Sequence, residues 1–168
     1  MFGRVLRAVV VLPGTVLVLV PGLLLYLTRR PGEMFPLPVA APTELAVAGF
    51  LALSGLVGAV WTVSLFARIG RGSPAPWDPP ERMVIAGPYR HVRNPMITSV
   101  VLMLGAEVLA WQSTALLAWA LFFIGANAYY LPMIEEPRLV ERFGDDYRRY
   151  RENVPRWLPR SRPWLSED

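Results

Sequence analysis

The chain has 168 residues, 54% of them hydrophobic, with a formal net charge of +4, a length that suits one domain. It has no cysteine and a single histidine, which excludes disulfides and thiolate-bound metals and argues against a histidine metal site. All 17 basic residues are arginine, and they lie between apolar blocks rather than among them.

The first block, Ala8 to Leu27, carries no charge, and neither does the second, Leu45 to Phe66. About 20 apolar residues cross a bilayer as a helix, so both read as membrane spans, at 8–27 and 45–66. A cleavable signal peptide is the alternative for the N-terminus, with Arg4 and Arg7 ahead of the apolar run and Val39-Ala40-Ala41 as a cleavage region. That run is longer than the roughly 7–15 residues of a signal core. Pro13-Gly14 and Pro21-Gly22 predict a bent first span, with neighbouring helices satisfying the freed backbone groups. In the second span Gly49, Ala52, Gly55 and Ala59 form a stripe of small residues, which predicts close helix packing.

Residues 70–95 form a loop crowded with Gly and Pro and interleaved with Trp77, Asp78, Tyr89, Arg90, His91 and Arg93. A long irregular loop of this composition predicts a structured binding segment. The third block, Met96 to Leu131, contains only Glu107 as a charge. It reads as a hairpin of spans 96–111 and 113–131 turning near Trp111-Gln112-Ser113-Thr114, with a re-entrant first arm as the alternative.

Beyond Leu131, Pro132 and Pro137 bracket Glu135-Glu136, and Pro137 suits the first turn of a new helix. Leu139, Val140, Phe143, Tyr147 and Tyr150 then recur at spacings of three and four, which predicts an amphipathic helix over the bundle, interrupted near Gly144-Asp145-Asp146. The expected fold class is therefore all-α: a polytopic membrane bundle in a single domain, residues 1–168, with four spans, a loop at 70–95 and a C-terminal segment at 132–168. Only Arg29 and Arg30 fall on the far side if the N-terminus is cytoplasmic. That bias places both termini and the charged loops inside and assigns the basic character to lipid headgroups rather than nucleic acid. The arginine-only composition points to a GC-rich bacterial genome and an inner-membrane location.

Two segments carry chemistry. Glu135-Glu136 at the end of the fourth span can face a cation or accept hydrogen bonds from a ribose diol, or simply favour a helix start. Gly87-Pro88-Tyr89-Arg90-His91-Val92-Arg93-Asn94-Pro95-Met96 sets turn formers, an aromatic, cations and an amide immediately before a span. An arginine there can hold a carboxylate or phosphate.

Together these segments resemble a known family. Met83 to Met96 is similar to the cofactor segment of the isoprenylcysteine carboxyl methyltransferases and the related phospholipid methyltransferases. Glu135-Glu136-Pro137, Phe143-Gly144-Asp145-Asp146-Tyr147, Tyr150 and Val154-Pro155-Arg156 match its C-terminal signature in order and spacing. The resemblance covers residues 70–160. It implies an S-adenosylmethionine-dependent methyltransferase whose C-terminal segment closes the cofactor pocket and whose lipidic or amphipathic substrate arrives from the bilayer. It further implies that Gly87, Tyr89, Asn94, Pro95, Met96 and Ile97 line that pocket, with backbone near Met83 and Val84, and that Glu135 and Glu136 are its acids. Asn94 and Ile97 stand where the prenylcysteine enzymes have histidine and tyrosine, and Leu131 replaces their substrate arginine, which points away from a prenylcysteine carboxylate.

On this reading the protein supplies proximity and alignment for methyl transfer, and Arg90 or Arg93 positions a phosphate or carboxylate headgroup. A carboxylate acceptor needs no base, whereas an amine or hydroxyl needs Glu135, Glu136 or His91. No metal is expected, and the oligomeric state is left open. The alternatives are an NADPH-dependent membrane reductase akin to sterol reductases and a non-catalytic four-helix scaffold.

Overall fold

The computed structural model describes residues 11–28, 41–70 and 81–165, and every regular element among them is helical. Arg4 and Arg7, Val39 and Ala40 of the expected cleavage region, Arg29 and Arg30, and the loop residues Trp77 and Asp78 lie outside the described residues.

Helix α1 is Val11–Leu27, and α2 is Ala41–Leu65, continued by a π turn at Phe66–Gly70. Helix α3 is Pro95–Trp111, and α4 is Thr114–Tyr130. A second π turn, Leu131–Glu135, joins α4 to α5 at Glu136–Phe143, and α6 is Asp145–Asn153. Two continuous rods, Pro42–Gly70 of 29 residues and Thr114–Phe143 of 30, are long and apolar enough to cross a membrane, while α1 and α3 are shorter apolar helices. Large apolar side chains stand exposed along the rods, among them Phe50, Leu53, Val60, Leu121 and Phe122. In water such surface would be a liability, but lipid is its natural solvent.

The helices pack α2 against α3, α3 against α4, and α1 against α4 and α3. The turn between α3 and α4 is two residues long: Gln112 adopts the left-handed conformation (φ 44°, ψ 40°), and Ser113 caps α4 by accepting the Leu116 N–H at 3.4 Å. Gln112 also donates to Glu44 at the start of α2. These groups tie one end of the bundle. Between the ends, Val100, Leu104 and Val108 of α3 meet Leu116 and Ala120 of α4, with Leu17, Leu24 and Leu25 of α1 against them.

The small-residue stripe of α2 splits. Gly49 and Ala52 are exposed, and a Cβ on Gly49 would meet nothing within 4 Å. The close approach is made instead by Gly55 and Gly58, where a Cβ would strike the Ser99 carbonyl oxygen at 2.6 Å and the Ser99 hydroxyl respectively. Helical spacing alone does not say which face meets a partner; the position of Ser99 on α3 decides it.

Helix α1 accommodates Pro21 through a π turn. Residues Thr15–Leu19 form a π turn in which the Val20 N–H donates to Thr15 O. In that widened ladder the Val16 carbonyl would receive from residue 21, but Pro21 has no N–H. The Trp119 indole of α4 donates to Val16 O instead, at 3.0 Å. The same arrangement recurs at α4, where the Glu136 N–H reaches Leu131 O one residue before Pro137. The rod therefore does not end at Pro132 or Pro137 as the sequence suggests. It passes both by widening one turn.

After α5, Gly144 reverses the chain at φ 58°, ψ −130°, a conformation that side chains disfavour. Tyr147, Tyr150 and Val154 then bury against Met83, Ile85, Leu139 and Val140. The tail beyond Val154 runs back over the 89–94 loop: Arg93 N donates to Pro155 O, Arg160 N to His91 O and Trp164 N to Arg90 O, each at 2.9–3.0 Å.

Candidate functional site

At the end of the bundle opposite the Gln112 turn, α1 and α3 begin while α2 and α4 finish. The helices enclose a cavity of about 520 Å3 there, within the range of about 300–1,000 Å3 usual for small-molecule sites. Its inner wall is apolar, built from Leu12 and Val16 of α1, Val63 and Phe66 of the α2 rod, Val100 of α3 and Phe123 of α4. Its outer wall is polar and comes from two distant stretches of sequence: Tyr89, Arg93 and Asn94 from the loop, and Glu135, Glu136, Arg138, Arg142, Tyr147 and Tyr150 from the C-terminal segment. The cavity is amphipathic by construction, apolar where spanning helices line it and charged where they end.

Glu136 is buried, at 5% exposure, and its carboxylate is fully engaged. Its Oε1 accepts from Arg93 Nη1 at 2.8 Å and Arg156 Nε at 2.7 Å, and its Oε2 accepts from Arg156 Nη2 at 2.9 Å. Burial pushes this carboxyl up, but the hydrogen bonds and charge of Arg156, with Arg93 beside it, outweigh that and hold it below its ordinary value. Glu135 is in the opposite circumstance. It has no hydrogen bond or ion pair among the described residues, and burial, reinforced by the neighbouring Glu136 charge, pushes its carboxyl up. Both groups lie past Leu131, where the apolar stretch of α4 ends.

Around these acids, the Tyr150 hydroxyl donates to Tyr89 O at 2.7 Å, and the Tyr89 ring stands edge-on to Phe66 with centroids 5.6 Å apart. Burial raises the Tyr89 phenol well above its usual value and the Tyr147 phenol to about 12, so both remain O–H groups at neutral pH. Asn94 precedes α3, accepts the Thr98 N–H on its backbone oxygen, and donates from Nδ2 to Arg156 O at 3.4 Å. Arg93 Nε is buried without a hydrogen-bond partner, a donor left over on a guanidinium otherwise held by Glu136.

Of the residues singled out in the sequence, Met83, Val84, Tyr89, Arg93, Asn94, Met96, Ile97, Glu135 and Glu136 line this one cavity. Gly87, Arg90 and Pro95 do not. Gly87, at φ 54°, lies against Trp61, where a Cβ would come within 3.1 Å of the ring. Its role is to let the loop touch α2. Arg90 is exposed and donates to Ile85 O at 3.4 Å. Pro95 faces an apolar groove between α2 and α3 with Trp61, Thr62 and Ser99.

His91 also lies off the cavity, where its Nδ1–H donates to Arg160 O at 2.8 Å and secures the tail. Glu107 lies in α3, with Oε2 buried and unbonded among the described residues, and lines neither space. Sequence reasoning passed over Arg138, Arg142 and Asn127 as cavity residues. The signal for the two arginines was available: Arg138, Leu139 and Arg142 follow Glu135 at +3, +4 and +7, which is one face of a helix.

A family model described as phospholipid methyltransferase matches residues 43–146, from the start of α2 into α6. No curated protein and no solved structure matches the chain.

Proposed function

The chain belongs to the phospholipid methyltransferase family, a family of membrane methyltransferases, and from that premise we propose that it moves a methyl group from S-adenosylmethionine to a lipidic or amphipathic acceptor. The observation that carries the cofactor reading is Glu135, a carboxylate in the cavity wall with no hydrogen bond or ion pair among the described residues. S-Adenosylmethionine offers matching groups: hydroxyls and an ammonium for a carboxylate, a carboxylate for a guanidinium, and an adenine ring for an aromatic wall. Glu135 would hold its hydroxyls or ammonium, and Phe66 and Phe123 its base.

When bound, the cofactor would supply an activated methyl group carried on a sulfonium, and the residues of the cavity wall would hold and orient it. The protein's part is alignment and exclusion of water. A carboxylate acceptor arrives ionised and needs nothing more. An amine acceptor must shed a proton, and Glu135 is the one unpaired carboxylate among the described cavity residues to receive it. The apolar inner wall suits an acceptor with a hydrocarbon portion.

The finer topology belongs to the same proposal: four passes by α1 to α4, the C-terminal helices capping the cofactor site, and the cavity with the arginine-rich segments on the cytoplasmic side of a bacterial inner membrane. The family match favours methyl transfer over the reductase and scaffold readings. The test is incorporation of label from methyl-labelled S-adenosylmethionine into a membrane lipid extract by the full chain in nanodiscs. Label in the lipid fraction supports the proposal. No incorporation, together with NADPH oxidation by the same preparation, would replace it with the reductase.

A further inference from the structure

The sequence offers Arg90 and Arg93 as holders of an anionic headgroup. Arg90 faces away from the cavity, and Arg93 spends its charge on Glu136. Most other arginines of the C-terminal segment also have fixed partners. Arg156 is bound to Glu136, Arg148 to Asp145, Arg149 to Asp146, and Arg160 Nη1 donates to Asn153 O.

Arg138 and Arg142 differ. Both line the cavity, both are exposed at its charged wall, and neither meets an acid among the described residues. Their spacing on α5 puts them on one face, one turn apart, with side chains that reach the same volume. Leu139 stands between them on that face and also lines the cavity, and the Arg142 guanidinium lies 5.6 Å from the centroid of the neighbouring Phe143 ring. Glu135, three residues before Arg138, shares the wall without pairing with either arginine. A carboxylate in the wall and two free guanidiniums beyond it divide the cavity's polar side into a region for cations and a region for oxyanions.

We infer that Arg138 and Arg142 form an oxyanion subsite that holds a phosphate or carboxylate carried by the methyl acceptor and so sets which amphiphiles are methylated. Guanidinium forks are well matched to both oxyanions and bind them through short charge-assisted hydrogen bonds. The inference rests on the methyltransferase reading for what the bound molecule is, but not for the binding itself. Arg93 is held by Glu136 with its Nε buried, whereas Arg138 and Arg142 are exposed. That leaves the outer pair to the second substrate.

The experiment is equilibrium binding to the full chain in nanodiscs, using three soluble probes and S-adenosylmethionine. The probes are dihexanoylphosphatidylethanolamine for a lipid phosphodiester, hexanoate for a carboxylate, and hexylamine for no anion. The variants are Arg138→Gln/Arg142→Gln, the same pair changed to Lys, and Arg151→Gln as an exposed α6 arginine off the cavity. The double Gln variant is expected to lose about tenfold or more in affinity for the phosphodiester probe, the carboxylate probe or both. The Lys pair should recover part of that, while hexylamine, S-adenosylmethionine and Arg151→Gln stay unchanged. Which anionic probe responds more identifies the source of the oxyanion.

Unchanged anionic probes would overturn the subsite and make the pair a solvated face. Weakened S-adenosylmethionine binding with unchanged probes would overturn it in favour of a cofactor contact. If wild type bound no S-adenosylmethionine while the probes still depended on the arginines, the subsite would stand and the methyltransferase reading would fall.

Discussion

Glu135 and Glu136 are chemically identical neighbours that the fold separates: one carboxylate is held by two arginines and the other has none. Their titrations therefore act in different pH ranges. Glu135 has a raised pKa, and its ionised form is the one that attracts an ammonium or accepts from hydroxyls. Affinity for S-adenosylmethionine should fall as pH drops through that raised value, above the ordinary glutamate value of about 4.3, and Glu135→Gln should flatten the profile. A profile that stays pH-dependent in the variant would assign the effect to another group. Glu136 has a lowered pKa, so the stability its ion pairs give is fully present above the ordinary value and is lost only as pH falls through the lowered one. Acid should thus abolish cofactor binding first and release the tail second, as read by binding and by protease cleavage after Val154. Glu136→Gln leaves two arginines against a neutral amide in a buried site, at a cost of about 3 kcal/mol, measurable as a lower unfolding midpoint in detergent. The sequence presents the two acids as one motif. It hides their difference because the partners, Arg93 and Arg156, sit 43 and 20 residues from Glu136.

Among the elements, α2 and α3 make the closest approach, and its two glycines are not equivalent. At Gly55 a new Cβ meets a backbone oxygen that cannot move, whereas at Gly58 it meets the Ser99 hydroxyl. Gly55→Ala and Gly58→Ala should each destabilise the bundle by about 1–3 kcal/mol as overpacking does. Adding Ser99→Ala should restore stability to the Gly58 variant alone. Equal rescue of both would mean that the helices slide apart rather than clash at named atoms. The apolar blocks, the hairpin turn at Gln112-Ser113 and the interruption at Gly144 are all legible in the sequence, because each depends on local composition. The π turns are not. Pro21 and Pro137 announce a disturbance, but whether the helix breaks or widens depends on a neighbour such as Trp119 satisfying the freed carbonyl.

Among the described residues most of the charge lies at one end of an apolar bundle, and the cavity forms where the two meet. Apart from Leu12 and Val16, every cavity residue named above comes from 63–150, a stretch that coincides closely with the C-terminal part of the family match at 43–146. Nine of the twelve site residues expected from sequence share this cavity. Of the remaining three, Gly87 packs on Trp61, Arg90 is exposed, and Pro95 at the start of α3 faces the groove between α2 and α3, distinctions that a linear motif does not encode. The spacing that places Arg138 and Arg142 beside Glu135 is legible in the sequence, but charges on an amphipathic helix read first as its solvated face.

The most direct test is equilibrium binding of S-adenosylmethionine and of NADPH to the purified full chain in nanodiscs, for wild type and Glu135→Gln. The expected result is saturable binding of S-adenosylmethionine alone, weakened at least about tenfold by the substitution, as for loss of one charge-assisted contact. Undiminished binding in Glu135→Gln, or binding of NADPH in place of S-adenosylmethionine, would contradict it.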